Sequence, residues 1–349
     1  MKIYFLADTH LGVKGDDPIV LHDWIDYYNK VFIPYCKEHV QPDDILVHLG
    51  DVTDNRSNIG LETINLTIKL FEDLSNIFSD IRLIVGNHDI FKKHSNEITS
   101  LNMLKYIPHV KIYYTPKIEN ILDKRVLFVP WIEEIDEQKK LLKSQHNVDY
   151  VFGHLEIGGA KTSSKGNMIH TNNAISSTDF KKAQVYAGHI HIRQDYKNIH
   201  YVGCPYHKDR GDYNNKKGIT ILDIETGETE FIENTFSPQF RKYSIYDILD
   251  KTVGELKKEW NNNYIDLVVN SNHYCDCNFD LLRTLFSGIY KSFNPIANKV
   301  EMITDNKVIN LSDNKTTSEL IDEYMKLNDV EPEIQERIKS KIETYKENL

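Results

Sequence analysis

Five short apolar runs in this chain stop on the same small set of polar residues. KIYFLA is followed by Asp8-Thr9-His10, ILVHL by Gly50-Asp51, IRLIV by Gly86-Asn87-His88-Asp89, YVFG by His154, and QVYAG by His189-Ile190-His191. Apolar runs of this length, bounded by glycine and polar residues, read as buried strands. In α/β sheets, ligands gather at the carboxyl ends of the strands. Taken singly, each ending has an ordinary reading as a turn carboxylate, a helix cap or a core histidine. Together they predict strand ends brought to one place to hold something.

The spacing between the runs sets the architecture. Leu21, Trp24, Ile25, Tyr28, Val31, Phe32 and Tyr35 fall at helical intervals and predict a helix over 18–36, with Pro34 kinking its end. Leu61, Ile64, Ile68, Phe71, Leu74 and Ile77 predict a second over 60–78. VKIYY, RVLFVP and YVFG carry the strand series from 110 to 153. From 184, the strands QVYAGH, IHYVG, GITILDI and GETEFIE are spaced closely enough for hairpins. Alternating strands and helices, then hairpins, predict an α/β sandwich of two sheets flanked by helices, over 1–236.

The pattern changes near residue 237. NYIDLVVN (263–270), a helix carrying Leu281, Leu282, Leu285 and Ile289, and NKVEMIT (298–304) predict a small β-α-β unit over 237–305. A polar linker follows. Two helical patterns, 316–328 and 332–348, then make up a tail within 306–349. Two short helices on a linker cannot bury their apolar faces on each other alone, so a partner groove is expected for them.

Bulk properties exclude several classes. No apolar run reaches the roughly 18 residues of a membrane span, and the first residues, MKIYFLADTHLG, do not read as a signal peptide. The four cysteines are too few for a disulfide framework and point to a reducing cytoplasm. HYCDC at 273–277 lacks the spacing of a metal knuckle and reads as free thiols. There is no phosphate-loop motif. A net charge of −10 argues against gripping nucleic acid by bulk electrostatics alone, though not against a local basic groove.

Asp8, His10, Asp51, Asn87, His154, His189 and His191 offer seven oxygen and nitrogen donors. One octahedral ion cannot use all seven and keep an open position. Two ions can, if Asp51 bridges them. Oxygen and nitrogen donors without thiolates suit Mn²⁺, with Mg²⁺, Fe²⁺ or Zn²⁺ as alternatives. Such a pair suits phosphoester hydrolysis. Strand side chains two apart share a face, so His189 and His191 are expected on one strand-end face, each serving a different ion.

D-x-H, G-D, G-N-H-D, G-H and G-H-x-H, in this order over residues 8–191, resemble the calcineurin-like metallophosphoesterases. LADTHLG, and the turn Gly203-Cys204-Pro205 followed by Lys217-Gly218, resemble the SbcD-type branch, the nuclease subunits of double-strand-break repair complexes. The compact length is similar to phage recombination nucleases. The resemblance implies one metal on Asp8, His10, Asp51 and His191, and the other on Asp51, Asn87, His154 and His189. It implies His88 as the catalytic acid. Where cellular members often carry a histidine that orients this acid, this chain has Asp54, whose carboxylate is expected to take over that role and raise the His88 pKa.

The resemblance further implies a DNA substrate with duplex ends and single strands. It implies a homodimer through the catalytic-domain helices, a cap domain over 237–305, and a tail that binds an SMC-like ABC-type ATPase. Lys14, Arg56, Lys92, Lys93, Lys161 and Lys165 lie near the motifs and are weak candidates for DNA phosphate contacts. A stand-alone phosphoesterase acting on a nucleotide or phosphoprotein, and a scaffold with a spent site, are the competing readings.

Overall fold

A computed structural model describes residues 1–92, 95–163, 166, 168–170, 174–270, 277–298, 325, 331–332 and 335–336. The expected strand over 298–304 and the two tail helices fall almost wholly outside these residues. Residues 1–269 and 273–298 form one compact unit, and 270–272 with 299–349 a second.

The first unit is built on two six-stranded sheets. In chain order the strands are β1 Lys2–Leu6, β2 Ile45–His48, β3 Ile81–Ile84, β4 Ile90–Lys92, β5 Ser95–Thr99, β6 Val110–Tyr113, β7 Lys117–Ile121, β8 Lys124–Val129, β9 Tyr150–His154, β10 Gln184–Gly188, β11 Gln194–Tyr196, β12 Ile199–Tyr201, β13 Gly218–Asp223 and β14 Thr229–Glu233. One sheet runs β14-β13-β1-β2-β3-β6 and the other β11-β12-β10-β9-β8-β7. β1, β2, β3 and β6 are parallel, as are β8, β9, β10 and β12. The outer strands β13, β14, β7 and β11 are antiparallel. β4 and β5 form a separate hairpin.

Alternation along each strand explains the layering. On β1, Ile3 and Phe5 face the second sheet, while Tyr4 and Leu6 face the helices. Between the sheets, the Phe5 ring stacks on Tyr186 at 4.8 Å and meets Phe152 edge-on at 4.9 Å, and Tyr113 stacks on Phe128 at 4.2 Å. Each such pair adds about 0.5–1.5 kcal/mol beyond its buried area. The outer face of the second sheet packs Val151, Val185 and Ile199 with Leu142 of the helix Ile135–Ser144.

The first helix differs from its expectation. It runs from Pro18 through Tyr27, opens into a π-turn over Tyr28–Phe32, and continues from Ile33 to His39. Pro34 does not end it. A proline removes one helical N–H and clashes with the carbonyl four residues back. The wider π-turn just before it, where the Ile33 N–H reaches back to the Tyr28 carbonyl, makes room for the ring. The second helix spans Leu61–Ser75.

Residues after 236 carry a separate three-stranded sheet, with β15 Phe240–Ser244, β16 Tyr264–Asn270 and β17 Ser292–Asn298 in the order β15-β16-β17. Its core gathers Tyr243, Ile248, Leu256, Trp260, Ile265, Leu267, Val269 and Phe286. Pro295 sits in β17, an edge strand, where a missing N–H is tolerated. Arg210 and Tyr213 bind the buried Asp266 of β16, Arg210 Nε at 2.7 Å from Asp266 Oδ2.

Candidate metal centre

The carboxyl ends of β1, β2 and β3 from one sheet and of β9 and β10 from the other meet, and the seven expected donors lie there. Asp8, His10, Asp51 and His154 are fully buried and form the floor. Asn87, His88, His189 and His191 are half-buried and form the rim. Four of these residues adopt left-handed backbone although none is glycine, with φ of 52° at Asp8, 42° at His10, 59° at Asp51 and 86° at His189. Such conformations cost about 1–3 kcal/mol each and persist only where the surroundings enforce them.

His189 and His191 do not share a strand face. β10 ends at Gly188, and the turn at His189 sends the two rings to opposite halves of the site. His191 Nε2 faces His10 Nε2 at 3.0 Å. His189 Nδ1 faces Asn87 Oδ1 at 3.0 Å, and His154 Nε2 faces the same oxygen at 2.8 Å. Between the halves, Asp51 Oδ2 lies 3.6 Å from His10 Nε2 and 3.4 Å from His154 Nε2. The His189 amide donates to Asp8 Oδ1 at 2.9 Å and Oδ2 at 3.1 Å.

This donor set fits divalent cations. In its neutral form, His154 donates from Nδ1 to the Leu49 carbonyl at 2.8 Å, which leaves Nε2 carrying the lone pair. That nitrogen, the Asn87 amide oxygen and the Asp51 carboxylate then converge with no proton donor among them. Burial works against a charge on His154, yet Asp51 and Asp8 outweigh it and push its pKa up to about 9, the field a cation would occupy in place of the proton. Burial, with His10, Lys208 and Lys217 nearby, holds His191 well below the usual histidine range, in its neutral form. Burial opposes the charge on Asp51 as well, but His154 and His10 keep its carboxyl ionised.

Glycines precede the donors because the backbones are crowded. A Cβ on Gly86 would overlap Asp51 Oδ1, and one on Gly50 would overlap His154 Nδ1. Gly188 passes so close to the Leu49 carbonyl that a Cβ would sit 2.6 Å from it.

The role expected of the Asp54 side chain is corrected. His88 Nδ1 donates to the Asp54 backbone carbonyl at 2.6 Å. The Asp54 carboxylate instead pairs with Lys208 Nζ at 3.0 Å and lies 3.1 Å from His10 Nδ1, off the line of a hydrogen bond. Nor is the His88 pKa raised: burial lowers it.

Sequence reasoning missed several supports. Asp89, fully buried, accepts amide protons from Asp51 at 2.8 Å, Val52 at 3.0 Å and Gly86 at 2.9 Å, so it clamps two donor loops together. Its signal was the last letter of Gly-Asn-His-Asp. Glu156 Oε2 lies 3.3 Å from His189 Nε2, and the Trp131 ring packs 4.9 Å from His189. No pattern marked either residue.

Of the basic candidates, Lys14 Nζ lies over the Phe240 and Tyr264 rings at 5.7 and 5.8 Å. Arg56 is half-buried, and Lys92 and Lys161 are exposed. Lys93 and Lys165 lie outside the described residues.

Residues 1–193 match the calcineurin-like phosphoesterase family. The chain belongs to it. A phage T4 protein named exonuclease subunit 1 is 32% identical over 243 residues, spanning 67% of this chain and 68% of that one. A phosphoesterase of Invertebrate iridescent virus 3 is 27% identical over 253 residues, spanning 67% of this chain and 65% of that one. Solved structures with similarity include an archaeal phosphodiesterase at 18% identity and TM-score 0.36, covering 67% of this chain and 100% of that one. YfcE, a phosphoesterase from E. coli, matches at 13% identity and TM-score 0.31, covering 68% and 100%. As a calcineurin-like phosphoesterase, the chain is a hydrolytic enzyme of a family that uses divalent metals.

Proposed function

We propose that this phosphoesterase is a DNA nuclease that hydrolyses phosphodiesters at DNA ends with two divalent ions, Mn²⁺ foremost. The observation that carries the reading is Asp51 Oδ2 set between His10 and His154, with an imidazole, His88, beside it. Asp8, His10, Asp51 and His191 would hold one ion, and Asp51, Asn87, His154 and His189 the other. Bound there, the ions supply Lewis-acid charge for the phosphate and an acidified water.

The chain's own part in the reaction is proton transfer and orientation. The Asp54 carbonyl can only accept, so it fixes a proton on His88 Nδ1 and leaves Nε2 as the exchanging position. Only the charged ring carries a second proton, on Nε2; it would pass that proton to the leaving oxygen, return to the Nδ1–H form and be recharged from solvent. The His88 amide donates to Asp51 Oδ1 at 2.8 Å, which ties the acid to the bridging carboxylate. A nucleic-acid substrate is supported by the relative named exonuclease subunit 1; we take it to be DNA, as duplex ends and single strands. That name also supports a partner subunit. We assign an SMC-like ATPase to the helices expected over 316–328 and 332–348, with residues 237–305 as a cap, a homodimer through the 18–39 and 61–75 helices, and the host cytoplasm as the setting.

The test is hydrolysis of end-labelled duplex DNA and of bis-p-nitrophenyl phosphate, with Mn²⁺ and with chelator. Mn²⁺-dependent cleavage of both supports the nuclease. Cleavage of the small diester alone favours a stand-alone phosphoesterase. Removing the chain beyond Leu311 should abolish ATPase binding and leave cleavage of single-stranded DNA.

A further inference from the structure

Two lysines stand behind one half of the metal centre, and the reaction uses neither. Lys217 is 2% exposed. Its Nζ donates to the His191 backbone carbonyl at 2.6 Å, pairs with Asp212 Oδ1 at 2.5 Å and lies 3.3 Å from Cys204 Sγ. A buried ammonium persists only where it is paired and hydrogen-bonded, and this one gives a bond to the carbonyl of a donor residue. Lys208 Nζ reaches Asp54 Oδ1 at 3.0 Å, and that oxygen lies 3.1 Å from His10 Nδ1. The two lysines are tied through Asp212, whose Oδ2 accepts from the Lys208 amide at 2.8 Å and whose Oδ1 pairs with Lys217 Nζ.

The arrangement is one-sided. His191, held through its carbonyl, and His10, beside the Asp54 carboxylate, face each other across 3.0 Å. The other half rests on different supports: Leu49 holds His154, and Glu156 and Trp131 hold His189. We infer that residues 208–217 are a brace for one metal position only, with Lys217 and Asp212 as positioning residues for His191 and Lys208 with Asp54 for His10. The inference rests on the reading that His10 and His191 hold a divalent ion. Partners behind metal ligands of this kind typically set affinity by about 10–100-fold.

The test is calorimetric titration of the full chain with Mn²⁺ alone. Lys217→Met combined with Asp212→Asn removes the pair without stranding a buried charge. Asp54→Ala, at a half-buried position, leaves that pair alone and serves as a second variant. In each, one of two ions should weaken about 10–100-fold while the other keeps its affinity. Adding His154→Ala should then leave no tight ion. That selectivity is a result a general loss of packing would not produce. Unchanged affinity for both ions, equal weakening of both, or survival of the tight ion after His154→Ala would each overturn the inference. Wild-type protein that binds no Mn²⁺ would overturn the metal reading and this inference with it. Two bound ions that ignore the substitutions would overturn the brace alone.

Discussion

The His88 ring is held by the backbone of Asp54, Nδ1 to carbonyl oxygen at 2.6 Å, while the Asp54 carboxylate turns to Lys208. The two residues should therefore separate in mutagenesis. His88→Ala should lower kcat about 10²–10⁴-fold with two Mn²⁺ and DNA still bound. Asp54→Asn keeps the carbonyl and should lower kcat far less. Single-turnover rates at saturating Mn²⁺, with calorimetry for ion count, decide it. A His88→Ala protein that has lost one ion would make His88 a ligand instead.

The Asp51 carboxylate lies within 3.6 Å of a ring nitrogen in each half, His10 Nε2 and His154 Nε2. Asp51→Ala should weaken both ions together, whereas Asp8→Ala should weaken the His10–His191 ion chiefly, since Asp8 groups with those two residues. Mn²⁺ titration followed by calorimetry distinguishes one lost ion from two.

Glycine substitutions should split by location. Gly86→Ala drives a methyl into Asp51 and should abolish metal binding. Gly254→Ala, in the helix Val253–Trp260 with nothing nearer than 3.9 Å, should raise stability by about 0.5–1 kcal/mol. Urea melts and Mn²⁺ titration check the two.

Glu119 of β7 reaches across to the other sheet. Its carboxylate accepts from Tyr113 Oη at 2.9 Å and pairs with Lys117 at 3.2 Å and Lys111. Burial opposes its charge, but these partners, Lys111 foremost, hold its pKa down at about 2. A depressed carboxylate contributes stability above its unfolded pKa, about 4.5, and loses it as pH falls towards 2. Glu119→Gln should be less stable than wild type at pH 7, and the gap should close between pH 4.5 and 2 in urea melts.

Trp131 packs 4.9 Å from His189 and 5.9 Å from His154. Mn²⁺ binding should quench its fluorescence, and Trp131→Phe should abolish most of the response. Trp24, stacked on Tyr206 at 4.1 Å, and Trp260, in the core of the three-stranded sheet, should contribute little.

The order of strands, helices and hairpins was enough to read the two-sheet arrangement, and the polar endings of five apolar runs the residues that converge, because burial and chemistry both mark those positions. What stayed hidden lacks such a mark. β7, KIENI, alternates too weakly to stand out, since it is an edge strand. The turn at His189 replaced the expected strand face because backbone strain leaves no trace in residue type. Lys208 and Lys217 act through a carboxylate and a carbonyl far from them in sequence, so only the folded chain brings them to the donors.

The donors come from two sheets, and the gap between those sheets is set by side-chain packing together with cross-sheet hydrogen bonds such as His154 to Leu49 and Tyr113 to Glu119. Phe5 against Phe152 and Tyr186, and Tyr113 against Phe128, act as shims between two plates. A thinner shim, as in Phe5→Leu, should let the plates slide and change the separation of His10 from His154 without altering any ligand. Magnetic coupling between two bound Mn²⁺ would then be a gauge of core packing, and a natural drift in core residues would retune the chemistry from behind.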